Sequence, residues 1–135
     1  MTPPKPSDGY TLVIVPEVRE WLHDLRKRDK KTMLMVSAAI TALRDYGPGL
    51  GRPLADTLTQ SVKEKRQGVP KIKELRPHSG SSSAPRILFI FDPQRQAVLL
   101  VAGDKAGNWA HWYREAIPLA HERYERHLKE AEASE

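Results

Sequence analysis

Lys71-Ile72-Lys73-Glu74-Leu75-Arg76, followed by Arg86, is where this sequence concentrates side chains that could act on a phosphate. Two lysines spaced i, i+2 share one face if the segment is a strand. Cleaving RNA without a metal needs a base for the 2′-hydroxyl, a cation for the crowded phosphorane and an acid for the leaving 5′-oxygen. Lysines and arginines can supply all three if one lysine gives up its proton. Like charges disfavour protonation of a neighbour, so Lys71 and Lys73 beside Arg86 are expected to yield one neutral lysine. Arg76 and Arg86 would clamp phosphate through their forked donors. Taken alone, the two lysines are better explained as exposed strand residues that discourage edge pairing.

Other residues offer narrower chemistry. His111 lies in Trp109-Ala110-His111-Trp112-Tyr113 and is the best alternative acid or base, although a half-buried structural histidine explains it as well. Trp109 could stack an unpaired base, but two tryptophans at helical spacing more often fill a core. His78 could approach RNA from its place near Arg76. His23 reads as a surface residue. His121 and His127 read as members of a solvated helix, and their spacing puts them on different faces, so no metal site is expected. Ser81-Ser82-Ser83 has no nearby base and no acidic triad. Gly47-Pro48-Gly49-Leu50-Gly51 does not lie between a strand and a helix, so it is no nucleotide loop.

Charge supports a polyanionic partner. The chain of 135 residues carries a net +5, and residues 63–95 alone hold that excess through Lys63, Lys65, Arg66, Lys71, Lys73, Arg76, Arg86 and Arg95. Nucleic acid is the commonest partner for such a patch, though solvated charge runs are equally common. Lys63, Lys65, Arg66, Arg95, Lys105 and Trp109 are the candidate substrate contacts. The absence of cysteine excludes a disulfide scaffold, a thiol nucleophile and a sulfur-based zinc site. Mean hydropathy is −0.57, and no apolar run approaches the roughly 18 residues that span a bilayer. Without a secretory-type apolar segment at the start, a cytoplasmic protein is expected.

The elements that must hold these residues can be read from periodicity. Residues 1–9 look like a flexible leader, residues 10–131 like a single domain and residues 132–135 like a tail. Tyr10–Val15 predicts a strand. Pro16 then opens a helix whose Val18, Trp21, Leu22 and Leu25 share one face. A charged run at 26–31 interrupts the pattern. Met33, Val36, Ile40 and Leu43 mark a second helix that stops before Gly47-Pro48-Gly49. Leu54–Leu58 suggests one turn in a loop. Val69–Leu75 predicts a strand with a bulge near Glu74, because Ile72 and Leu75 both look like core. Residues 78–84 form a hydrophilic tip. Arg86–Phe91 and Ala97–Ala102 pair as central strands buried on both faces. Tyr113, Ile117, Ala120, Tyr124 and Leu128 stripe a last helix that Pro118 either starts anew or kinks. The fold class is α+β, in the order β-α-α-β-β-β-α, with a small antiparallel sheet packed against an N-terminal helical hairpin and a C-terminal helix.

That order resembles the RelE/ParE superfamily of bacterial toxins, and most closely its HigB-like, phage Gp49-type branch. Leu50-Gly51-Arg52-Pro53-Leu54 is similar to that branch's loop before the sheet. Lys71-Ile72-Lys73-Glu74-Leu75-Arg76 is similar to its "ELR" strand. Arg86–Phe91 resembles its arginine-led strand, and Val98-Leu99-Leu100 leads toward a loop lysine, here Lys105. The branch usually pairs that lysine, whereas Lys105 stands alone, and the hydrophilic tip is also a departure. The resemblance implies the toxin of a type II toxin–antitoxin system, a metal-independent mRNA endoribonuclease that often works on the ribosome and needs no cofactor. It implies Lys71, Lys73, Arg76, Arg86 and Tyr113 as the catalytic set, with His111 in reserve. It also implies a cognate antitoxin, a small helix-turn-helix protein, with operator DNA engaged only through that complex. Two other classes stay open: a ParE-like, non-nucleolytic toxin acting on a protein target such as gyrase, and a non-catalytic RNA- or DNA-binding module.

Overall fold

A computed structural model of the chain describes residues 10–58, 70–77, 84–104, 107 and 109–134. The expected leader at 1–9, most of the hydrophilic tip, His78, Lys63, Lys65, Arg66 and Lys105 lie outside the described residues. The elements in order are β1 (Thr11–Ile14), α1 (Pro16–Arg28), α2 (Lys30–Tyr46), β2 (Ala55–Thr57), β3 (Lys73–Leu75), β4 (Pro85–Asp92), β5 (Gln96–Asp104) and α3 (Trp109–Ala133).

The helical hairpin forms as its stripes predict. Pro16 stands at the start of α1, and Arg26, Lys27 and Arg28 occupy its last turn, where cations suit the negative end of the helix. The charged run does more than interrupt the pattern. Asp29 separates the helices and caps α2, accepting hydrogen bonds from the Thr32 backbone N–H at 3.1 Å and the Thr32 hydroxyl at 2.7 Å. Val18, Leu25, Val36, Ile40 and Leu43 are buried, with Trp21, Leu22 and Met33 packed against them. Gly47 ends α2 at φ +54°, and a Cβ there would meet the Tyr10 ring at 2.7 Å. Glycine is required on both counts.

The sheet has five strands in the order β1-β5-β4-β3-β2. It is mixed rather than antiparallel, because β1 joins β5 in parallel, with Leu12 opposite Ala97 and Ile14 opposite Leu99. The remaining pairs are antiparallel. The stretch 54–58 is also a correction, since Ala55–Thr57 extends as β2 instead of turning. It meets the open edge of β3, where the Arg76 N–H donates to the Leu54 carbonyl at 2.6 Å and the Leu58 N–H to the Ile72 carbonyl at 3.1 Å. Backbone groups at a sheet edge need partners, and β2 supplies them. Strand β3 is shorter than expected. Pro70 lacks the N–H a ladder would use.

The central strands β4 and β5 are buried on both faces: Ile87, Leu88, Phe89, Ile90, Ala97, Val98, Leu99 and Leu100 are all 0% exposed. The expected bulge near Glu74 is absent from the register of β3. The irregularity falls instead between Leu88 and Phe89, where β5 carries an extra residue. Ile72, Glu74 and Leu75 are all inaccessible because the sheet is covered on both sides there, so alternation cannot sort core from surface. Helix α3 runs unbroken through Pro118, which lies on its exposed side. Its buried stripe is wider than expected and takes in His121, at 4% exposure, which corrects the solvated reading of that residue. No helix among the described residues is long and apolar enough to cross a membrane.

Candidate active site

The pleat of β3 divides the basic stretch. Lys73 lies opposite Phe89, Glu74 opposite Leu88 and Leu75 opposite Ile87. Alternation therefore sends Glu74 to the face shared by Leu88 and Arg86, and Lys73 to the face of Phe89 and Phe91. Arg76, just past the strand, is fixed at its backbone by the Leu54 carbonyl. From α3, Tyr113 reaches the same place across the sheet.

These side chains converge on the Glu74 carboxylate, which is 0% exposed. The Arg76 Nε donates to Glu74 Oε1 at 2.7 Å, and the Arg86 Nε stands 3.8 Å from the same oxygen. The Tyr113 hydroxyl donates to Glu74 Oε2. Arg86 also donates from its terminal nitrogen to the Pro85 carbonyl at 2.8 Å, while its buried Nε makes no hydrogen bond among the described residues. A second carboxylate extends the chain: Asp56 Oδ2 lies 3.7 Å from Arg76 and accepts from the Arg52 Nε at 2.9 Å. Three arginines thus face two carboxylates, which leaves the cluster one positive charge in excess. The Arg76 side chain is 35% exposed and that of Arg86 17%, against 1% for the acid between them.

Burial, then the bond to Glu74, pushes the Tyr113 phenol well above its ordinary value. The same carboxylate, by accepting from Arg76, raises that guanidinium further still. The arrangement gathers two guanidinium groups and a phenol around one buried carboxylate, and the exposed part of Arg76 can meet the oxygens of a phosphate.

The other expected site residues among the described ones are not part of this cluster. Lys71 is exposed and precedes β3. Lys73 is half-buried on the opposite face, with its ammonium 5.3 Å from the Phe91 ring centroid. Arg95 sits in the turn after β4, a strand of eight residues, and so lies roughly 20 Å from Arg86 along the sheet. Its guanidinium covers the Tyr10 ring at 4.9 Å. His111 is exposed near the start of α3, at the Arg86 end of the sheet, with Nε2 3.1 Å from Glu115 Oε1. Trp109 is 57% exposed and its ring lies 6.4 Å from that of Tyr113. Trp112 packs edge-on to Tyr113 at 5.1 Å and against Gly103.

Glu74 is the residue that sequence reasoning left out of the site. Its signal was present, a lone acid between Ile72 and Leu75 with an arginine two residues on. Asp92, the other buried acid among the described residues, is bound to its own turn through the Gln94 N–H and to Tyr124. Among the described residues no group of three or more acidic or histidine side chains is arranged to hold a metal ion.

A family model described as phage derived protein Gp49-like matches residues 20–125. The chain is 45% identical over 126 residues to the candidate toxin HigB2 of Mycobacterium tuberculosis (strain ATCC 25618 / H37Rv), covering 93% of this chain but 58% of that protein's length. It is 42% identical over 117 residues to the candidate toxin HigB3 of the same organism, covering 87% of this chain and 92% of that one. A free-state mutant of the E. coli toxin RelE superposes with a TM-score of 0.47 at 14% identity, over 82% of this chain and 97% of that one. A match spanning most of the chain, together with relatives above 40% identity, settles the lineage: the protein belongs to the phage-derived Gp49-like family, in its HigB-like branch.

Proposed function

We propose that the protein is the toxin of a type II toxin–antitoxin system and acts as a metal-independent mRNA endoribonuclease, on the ribosome, until its antitoxin silences it. The observation that carries this reading is the gathering of Arg76, Arg86 and Tyr113 around the buried Glu74, with the Arg76 side chain 35% exposed beside it. In the reaction, the 2′-oxygen bonds to the adjacent phosphorus, the bond to the 5′-oxygen breaks, and a proton passes from the 2′-hydroxyl to a base while another reaches the leaving oxygen. Arg76 and Arg86 hold the non-bridging oxygens as charge builds on them. Tyr113, whose hydroxyl is bound to Glu74, stands beside them, and water protonates the leaving 5′-oxygen. His111 is the proposed base: it is exposed, lies at the Arg86 end of the sheet and is oriented by Glu115. The exposed Trp109 offers a ring on which a flanking base can stack. Lys63, Lys65, Arg66 and Lys105 are proposed RNA contacts. The partners are mRNA, the ribosome and a small helix-turn-helix antitoxin, through which operator DNA is met.

One observation favours a second reading, a non-nucleolytic toxin with a protein target such as gyrase: Lys71 and Lys73 do not join the arginines. RNA incubated with the protein and a magnesium chelator, with and without ribosomes, separates the two. Fragments bearing 5′-hydroxyl ends are expected. Growth inhibition with intact RNA in both incubations supports the second reading instead.

A further inference from the structure

We propose that Glu74 is the positioning residue of this site: it touches no substrate, but sets both guanidinium planes and aims the Tyr113 hydroxyl. The proposal rests on the ribonuclease reading for its kinetic consequence and on geometry alone for the positioning itself. Three features carry it. Glu74 is fully buried, and both of its oxygens are engaged, Oε1 by Arg76 and Oε2 by Tyr113. Its partners come from three elements, the end of β3, the start of β4 and the first turns of α3, so a single carboxylate joins all the parts of the site. Finally, its Oε1 accepts from the Arg76 Nε at 2.7 Å and lies 3.8 Å from the Arg86 Nε, so the inner nitrogens of both arginines face the same acid.

The physical reason for such a residue is the flexibility of arginine. A guanidinium on a long stem visits many rotamers, and a donor that must be reorganised during the reaction loses much of its effect. A buried carboxylate beside the inner nitrogen of each guanidinium restricts those rotamers. Buried acids of this kind are expensive to desolvate, and their retention fits a requirement for geometry better than one for stability.

The test uses Glu74→Gln in the full chain, which preserves shape and removes the charge. Two readouts are taken on wild type and variant: single-turnover cleavage with RNA affinity, and NMR of the arginine Nε–H groups. Cleavage is expected to fall at least about 100-fold with RNA affinity changed less than threefold, and the Arg76 Nε–H signal to lose its protection from solvent exchange. Cleavage within threefold of wild type overturns the proposal, as does a loss of affinity matching the loss of rate. Should wild-type protein cleave no RNA, the ribonuclease reading fails by itself. The NMR arm then decides the positioning role: lost protection upholds it, and an Arg76 signal equally protected in both proteins overturns it. If Glu74→Gln does not fold, Glu74→Asp keeps the charge and withdraws it by one methylene. At least a tenfold loss of cleavage, or lost Arg76 protection where wild type is inactive, is then expected, and wild-type behaviour in the same readout overturns the proposal.

Discussion

Arg126 of α3 grips Glu17, in the first turn of α1, with two 2.7 Å hydrogen bonds that join residues 109 apart in sequence. Arg123 adds a third contact at 3.5 Å. The pair ties the last helix to the first. The bond to Arg126 lowers the Glu17 carboxyl from 4.5 to about 2. A depressed acid contributes stability that is present above its unfolded value and is lost as pH falls through the folded one, so the window here runs from about 4.5 down to about 2. Side-chain exposures of 37% and 40% mean that solvent screens much of the effect. Glu17→Gln should therefore cost no more than about 1 kcal/mol at neutral pH and flatten the acid limb of stability in that window. Urea denaturation at a series of pH values measures both, and an unchanged acid limb contradicts the assignment.

Arg86→Lys should retain the fold and the charge but lose most cleavage. An ammonium cannot present a fork to phosphate, and it cannot span Glu74 and the Pro85 carbonyl as the guanidinium does. A drop of about 100-fold in single-turnover rate is expected, with RNA affinity within about threefold. Equal losses in both would make Arg86 a docking residue.

Lys73→Ala should leave cleavage much closer to wild type than Arg76→Ala does. Lys73 faces Phe91 on the other side of the sheet, so its removal forfeits a cation–ring contact worth about 0.5–1 kcal/mol rather than a site group. Parallel assays of thermal stability and cleavage decide this. A Lys73 variant that is stable and inactive would return the chemistry to the lysines.

Salt should weaken RNA binding steeply, by roughly 0.7 in log–log slope for each phosphate contact on a single strand. Arg95→Gln should reduce that slope only if RNA extends along the whole β4–β5 hairpin, and it should leave the cleavage rate unchanged because Arg95 sits at the far end. Titrations at several salt concentrations with a short and a long RNA check both parts.

Gly103→Ala should destabilise the protein by about 1–3 kcal/mol. A Cβ at that position would press on the Trp112 indole, with the ring Cε2 3.1 Å away and Nε1 nearer still. Trp112 packs on Tyr113, so tryptophan fluorescence and the cleavage rate should change together. A variant with wild-type stability would show that the ring has room to move.

Local sequence determined much of this protein. The stripes Val18–Leu25 and Val36–Leu43 mark the helical hairpin, and the unbroken apolar runs of β4 and β5 mark strands covered on both faces, because side-chain periodicity records which residues of one element lie together. The Glu-Leu-Arg stretch and the arginine at the head of β4 mark the family. What periodicity cannot express is which face of one element meets another. Only the tertiary pairing puts β1 parallel to β5, recruits Ala55–Thr57 to the edge of β3, and draws His121 inward. The same holds at the site. Lys71 and Lys73 look like partners of Arg86 in one dimension, but the register of Lys73 with Phe89 turns Lys73 away, while Glu74, opposite Leu88, turns toward Arg86 and Tyr113. Tyr113 lies 39 residues from Glu74, and a contact over that distance exists only once the sheet and α3 have packed.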